Sequence, residues 1–132
     1  MPAITKQKGD IGVTAILADL TKKGILVSIP FGDNAPFDLV AYRNGKFERI
    51  QCKYTQSDGH SVEVKCRSTN GRIDHKYTAD EVDWIAVYDL TSDACYYVPS
   101  QIFSGMSSVG LRITNPKKNA KKIRYASDFL KF

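Results

Sequence analysis

At 132 residues, with 42% hydrophobic and 25% charged residues, the chain has the length of one domain with a real core and an ordinary globular composition. No apolar run reaches transmembrane length and the first residues carry no secretory pattern, so the expectation is one cytoplasmic domain over residues 1–132 with no membrane partner. A net charge of +5 favours a polyanionic partner only weakly, and the three cysteines, Cys52, Cys66 and Cys95, form neither a CxxC pair nor a zinc spacing with His60 or His75. They read as reduced, buried thiols.

In chain order, residues 2–8 read as a loose arm. The apolar periodicity over 11–23 predicts a helix, with Asp10 as N-cap or first-turn acid and Val13, Ile16, Leu17 and Leu20 on one stripe. Lys22 and Lys23 suit its C-terminal end, and Gly24 suits the left-handed residue beyond it. The β-branched run 25–29 predicts a buried strand stopped by Pro30, and 31–36 is a loop of turn formers.

Residues 37–55 predict a β-hairpin. Two alternating runs flank Asn44-Gly45, the pair that best accepts the positive φ angles of a two-residue turn. Side chains alternate between strand faces, so Ile50, Cys52 and Tyr54 share one face and Arg49, Gln51, Lys53 and Thr55 the other. On the first strand Asp38, Val40 and Tyr42 oppose Leu39 and Ala41. If the polar faces coincide, Asp38 meets Gln51 and Lys53. An acid, an amide and an ammonium on one face suit a divalent metal and an anion; the alternative is a solvated hairpin face. Cys52 is no candidate nucleophile, because it lies on the core face with no histidine base near in sequence.

Beyond the hairpin, 61–67 alternates with Val62, Val64 and Cys66 inward, 68–71 reads as a turn, and 72–78 is ambiguous. Thr78-Ala79-Asp80-Glu81 reads as a short helical turn. The continuous run 84–88 predicts a strand buried on both faces, paired with 95–98. A Pro-initiated short helix follows at 99–103, a strand at 109–114 and a short helix at 126–132. Trp84, Tyr88, Tyr96 and Tyr97 read as core or interface aromatics, and His75, beside Arg72 and Lys76, reads as an isolated surface histidine, the alternative being a phosphate contact. The basic stretch Lys117, Lys118, Lys121, Lys122 and Arg124 reads either as a solvated loop or as a DNA clamp. The order of elements predicts an α+β domain.

On several ordered segments the chain resembles the PD-(D/E)XK nuclease superfamily. These are Lys8-Gly9-Asp10-Ile11-Gly12, Ser28-Ile29-Pro30-Phe31-Gly32-Asp33-Asn34, Phe37-Asp38, Gln51-Cys52-Lys53-Tyr54, the strand at 84–88, Tyr97-Val98-Pro99 and Ile123-Arg124-Tyr125-Ala126. Within that superfamily it is most similar to bacterial group I intron-encoded homing endonucleases. The motif is short and degenerate, and its ordered context carries the specificity. The resemblance implies a restriction-endonuclease-like core, a mixed central β-sheet flanked by helices. It implies magnesium-dependent, sequence-specific hydrolysis of double-stranded DNA by a homo-oligomer, a dimer or tetramer.

The resemblance also assigns roles. Asp38, Gln51 and Lys53 are the catalytic set. Asp38 and the backbone carbonyl of Cys52 hold the Mg2+ ion; apart from the resemblance, Asp10 or Glu63 of this chain is a candidate supporting acid, the alternatives being weak metal binding or a chain that binds DNA and cuts poorly. Lys53 orients or deprotonates the attacking water and offsets phosphate charge. The charge pattern of this chain, apart from the resemblance, makes Lys117, Lys118, Lys121, Lys122 and Arg124 the candidate DNA contacts. One departure stands out: relatives place a glutamate directly after the Gly12 equivalent, where this chain has Val13. The alternatives to a homing endonuclease are a Holliday-junction-resolvase-like nuclease on the same core and a DNA-binding module with an impaired site.

Overall fold

Helix α1 spans Thr5–Lys22 in the computed structural model, which describes residues 4–70, 72–115 and 122–132. It starts well before Asp10. Lys6, Gln7 and Lys8 are good helix formers, and Gln7 Oε1 accepts the Ile4 N–H at 3.1 Å, closing the first turn. The expected loose arm is therefore helix from Thr5 onward, and Asp10 is an interior residue rather than a cap. Gly12, Ile16 and Leu20 are buried along one stripe at the i, i+4 spacing of a helix. Beyond the helix, Gly24 takes φ 79°.

The strands are β1 (Leu26–Ser28), β2 (Leu39–Arg43), β3 (Lys46–Thr55), β4 (Ser61–Lys65), β5 (Arg67–Asn70), β6 (Ile73–Lys76), β7 (Trp84–Asp89), β8 (Ala94–Pro99) and β9 (Ser108–Arg112). Helix α2 (Ser100–Phe103) follows Pro99, and a 3-10 turn covers Ala126–Phe129. The hairpin forms as expected. Arg43 faces Lys46 across Asn44 and Gly45, which hold φ of 53° and 73°, the angles of a type I′ turn. Residues 68–70, expected as a turn, extend β5, because their backbone pairs antiparallel with β6 in a two-stranded ribbon.

The central sheet runs β1-β2-β3-β7-β8. Its middle pair, β3 and β7, is parallel, with Gln51 opposite Ile85 and Lys53 opposite Val87; the other pairs are antiparallel. The sheet is therefore mixed, and the domain is α+β. Helix α1 covers one face, where Ile16 and Leu20 pack with Leu39, Ala41, Ile50 and Cys52. On the other face Ile85, Val87, Tyr96 and Val98 pack against Val62, Val64, Val109 and Leu111 of the β4–β9 pair, with Phe103 of α2. Burying each such aliphatic side chain contributes about 1.5–3 kcal/mol. The three cysteines are buried and free, as expected, and burial pushes Cys66 up to about 11 and Cys95 up to about 12. No helix among the described residues is long and apolar enough to cross a membrane.

Candidate active site

The hairpin register decides which side chains meet. Leu39 pairs with Ile50, and the Asp38 N–H just before β2 donates to the Ile50 carbonyl at 2.9 Å. That bond sets Asp38 across from Gln51. The Asp38 side chain reaches one residue further, where its Oδ2 accepts the Cys52 N–H at 2.9 Å. The acid is thus pinned to the backbone of β3 at the residue between Gln51 and Lys53. Burial raises its pKa; the Cys52 N–H and the nearby Lys53 charge oppose that rise.

Gln51 Nε2 donates to the Cys52 carbonyl at 3.2 Å. The amide therefore lies beside the one backbone oxygen expected to bind metal, and half a turn about its last torsion would present its own oxygen instead. The Lys53 ammonium donates to the Arg67 carbonyl at 3.1 Å and lies 5.2 Å from the centre of the Tyr77 ring. Burial lowers the Lys53 pKa, and Asp38 acts against that shift. Burial thus shifts both groups toward their neutral forms, and the charge of each on the other opposes the shift.

Helix α1 crosses β3 at this point. A Cβ on Gly12 would lie 3.1 Å from the Lys53 carbonyl oxygen, so glycine permits the close crossing. The next residue, Val13, lines a cleft of about 280 Å³ together with Ile29, Pro30, Asp33, Phe37 and Asp38. Asp33 is a second acid in the same cleft as Asp38. In the sequence it falls in a loop of turn formers and in one of the segments that carry the family resemblance, with no role given to it. Its signal was an acid in the loop that delivers the chain to the hairpin, but nothing local said which way that loop folds.

A model of the PD-(D/E)XK endonuclease family matches residues 3–132. The chain belongs to the PD-(D/E)XK endonuclease family. Among solved structures it is similar to the bacterial homing endonuclease I-Ssp6803I, at 25% sequence identity and a TM-score of 0.71, over 96% of this chain and 88% of that one. No curated protein sequence matches it. The fold is accordingly restriction-endonuclease-like, and membership supports a nuclease.

In this PD-(D/E)XK endonuclease the described residues contain no group of three or more His, Cys, Asp or Glu able to hold a metal. The donors beside Asp38 are oxygens of other kinds, the Cys52 carbonyl and the Gln51 amide, with the Asp33 carboxylate in the cleft. An all-oxygen set with no sulfur or imidazole suits a hard cation such as Mg2+, which keeps several waters and needs few protein ligands. Asp10 lines a separate cleft with Gln7, Ile11 and Thr14. Glu63 lines a smaller one with Lys53 and Lys65. Lys117, Lys118 and Lys121 lie outside the described residues. Lys122 and Arg124 are exposed, and the Arg124 carbonyl accepts the Arg112 N–H of β9 at 2.7 Å.

Proposed function

We propose that this nuclease is a magnesium-dependent, sequence-specific endonuclease of the homing type, cutting double-stranded DNA. The observation that carries the reading is the Asp38–Cys52 bond, which places a half-buried acid between Gln51 and Lys53. The likeness to a bacterial homing endonuclease supports the homing type.

Asp38, the Cys52 carbonyl and Gln51 would hold the Mg2+ ion. When bound, it supplies a Lewis acid and a bound water of lowered pKa. Lys53 sits where its ammonium can hold a phosphate oxygen and stabilise charge developing there. Its lowered pKa also lets it exchange a proton with the attacking water more readily than a free lysine would. The Tyr77 ring and the neighbouring core keep bulk water from the ammonium, which strengthens both roles.

A domain of this size presents one such site, and a double-strand break needs two, most simply related by a two-fold axis. We therefore propose a homo-oligomer with an even number of subunits. The rings of exposed Tyr42 and Phe47 pack at a tilt, 4.9 Å between centroids, beside exposed Leu26, giving apolar surface suited to a second copy. Sedimentation with and without DNA tests this; a monomer in both conditions that still makes double-strand breaks would defeat it.

The decisive experiment for the activity is magnesium-dependent cleavage of a random duplex library, with Lys53→Ala as control. Cleavage at a defined sequence by the parent alone supports the reading; its absence with every divalent ion tried overturns it. Val13 favours one second reading. It puts an apolar side chain in the Asp38 cleft where relatives carry a glutamate, so a DNA-binding module with an impaired site is the alternative.

A further inference from the structure

The β5–β6 ribbon stands apart from both other sheets. Among the described residues its two strands pair only with each other, Arg67 with Lys76, Ser68 with His75 and Thr69 with Asp74. Every residue of β6 is exposed, including Ile73 at 74%. No described residue of the ribbon belongs to either core cluster, so the ribbon is held by its own backbone pairing and not by packing into the core. Yet the ribbon begins at the site. The carbonyl that receives the Lys53 ammonium belongs to Arg67, the first residue of β5.

The two ribbon faces differ. Arg67, Thr69, Asp74 and Lys76 share one, where Thr69 Oγ1 donates to Asp74 at 2.8 Å and Arg67 lies 4.0 Å from the same carboxylate. Ile73 and His75 share the other. The His75 ring meets the edge of Tyr77 at 6.0 Å, and Tyr77 is the ring beneath the Lys53 ammonium. The Ile73 face is therefore continuous with the candidate active site. Exposed cations Arg72 and Lys76 bracket β6.

We propose that this ribbon enters the major groove of duplex DNA beside the scissile phosphate, where Ile73 reads base edges and Arg72 and Lys76 hold the flanking phosphates. The inference rests on the nuclease reading above and adds the surface that selects the sequence. The dimensions agree. The major groove is about 12 Å wide and admits a two-stranded ribbon, and a four-residue strand of about 13 Å spans roughly four base pairs. The chemistry agrees as well. Lysine and arginine suit phosphates, and an exposed aliphatic side chain on a groove-reading face makes apolar contact with the 5-methyl group of thymine. The acid on the ribbon, Asp74, is already engaged by Thr69 and turned to the other face.

The test uses the full chain and a duplex cut by the parent. Binding is measured in chelator over a range of salt, and cleavage preference is read from a randomised library in magnesium. Arg72→Ala with Lys76→Ala should flatten the log–log salt dependence by about 1.8, two phosphates at roughly 0.9 each. Ile73→Ser should leave that slope unchanged and abolish a thymine preference at one position. Unchanged thermal unfolding of these exposed-site variants shows that the fold is intact. A parent that cuts a defined site, with variants of the same slope and the same preference, overturns the ribbon's role alone. A parent that neither binds nor cuts duplex removes the nuclease reading, and the ribbon's role with it.

Discussion

The Asp38 carboxylate accepts the Cys52 N–H at 2.9 Å, so one hydrogen bond ties the acid of the hairpin's first strand to the strand that carries Gln51 and Lys53. The bond joins structure to chemistry, and two substitutions separate them. Asp38→Asn keeps a carbonyl oxygen for the Cys52 N–H and should fold normally, yet lose magnesium-dependent cleavage. Asp38→Ala should lose cleavage and also about 1–3 kcal/mol of stability, because it leaves that buried N–H unsatisfied. Both should retain DNA affinity, since removing a carboxylate relieves repulsion from phosphate. Cleavage, unfolding and binding assays on the pair check this, and an Asn variant that cuts like the parent would remove Asp38 from the site.

The raised Asp38 pKa has a sign that melting experiments can read. Its folded pKa lies above that of an unfolded aspartate, because burial outweighs the Cys52 N–H and the Lys53 charge. Between the two values the folded chain holds more protons than the unfolded chain, so stability falls as pH rises through that window. Above it, the cost of burying the charge is complete. Asp38→Asn should therefore melt higher than the parent near neutral pH, with the gap closing as pH falls through the window. A gap that widens on acidification would contradict the assignment.

Lys53→Ala should lower the cleavage rate by about two to four orders of magnitude, the range for losing a proton-transfer or charge-stabilising group. Its effect on duplex affinity should be small by comparison. Single-turnover kinetics separate the two. A rate close to that of the parent would place the essential cation elsewhere.

Val13→Glu should strengthen metal activation. Val13 lines the cleft that holds Asp38 and Asp33, so a carboxylate there adds a further acidic oxygen to a set short of acids. The expected outcome is half-maximal cleavage at a several-fold lower magnesium concentration. Asp33→Ala should move the same midpoint in the opposite direction. A midpoint that neither substitution moves would show that this cleft is not where the ion binds.

Replacing Lys117, Lys118, Lys121 and Lys122 by alanine should weaken duplex binding and flatten its salt dependence by about 0.9 for each phosphate that is no longer neutralised. The titration is the same one used for the ribbon. An unchanged slope would return this stretch to a solvated loop.

Much of the candidate site's geometry was legible in the sequence because it is local. Asn44-Gly45 dictates the turn, the turn dictates the register, and the period of two puts Asp38 on the face of Gln51 and Lys53. The same alternation marked Val62, Val64 and Cys66 as core. What the tertiary structure alone decided depends on meetings between distant residues. The parallel pairing of β3 with β7 joins residues more than thirty positions apart. The approach of Gly12 to the Lys53 carbonyl, the entry of Asp33 into the Asp38 cleft and the pairing of 68–70 into a free-standing ribbon rest on packing or backbone pairing. Local propensity carries no signal for such meetings, since their free energy comes from partners absent from any short window of sequence. The sequence thus determined the acid, the amide and the lysine and the hairpin that holds them. Only the folded chain decided what surrounds them, because burial and a second wall for the cleft exist once α1 and the loop before β2 have closed over β3.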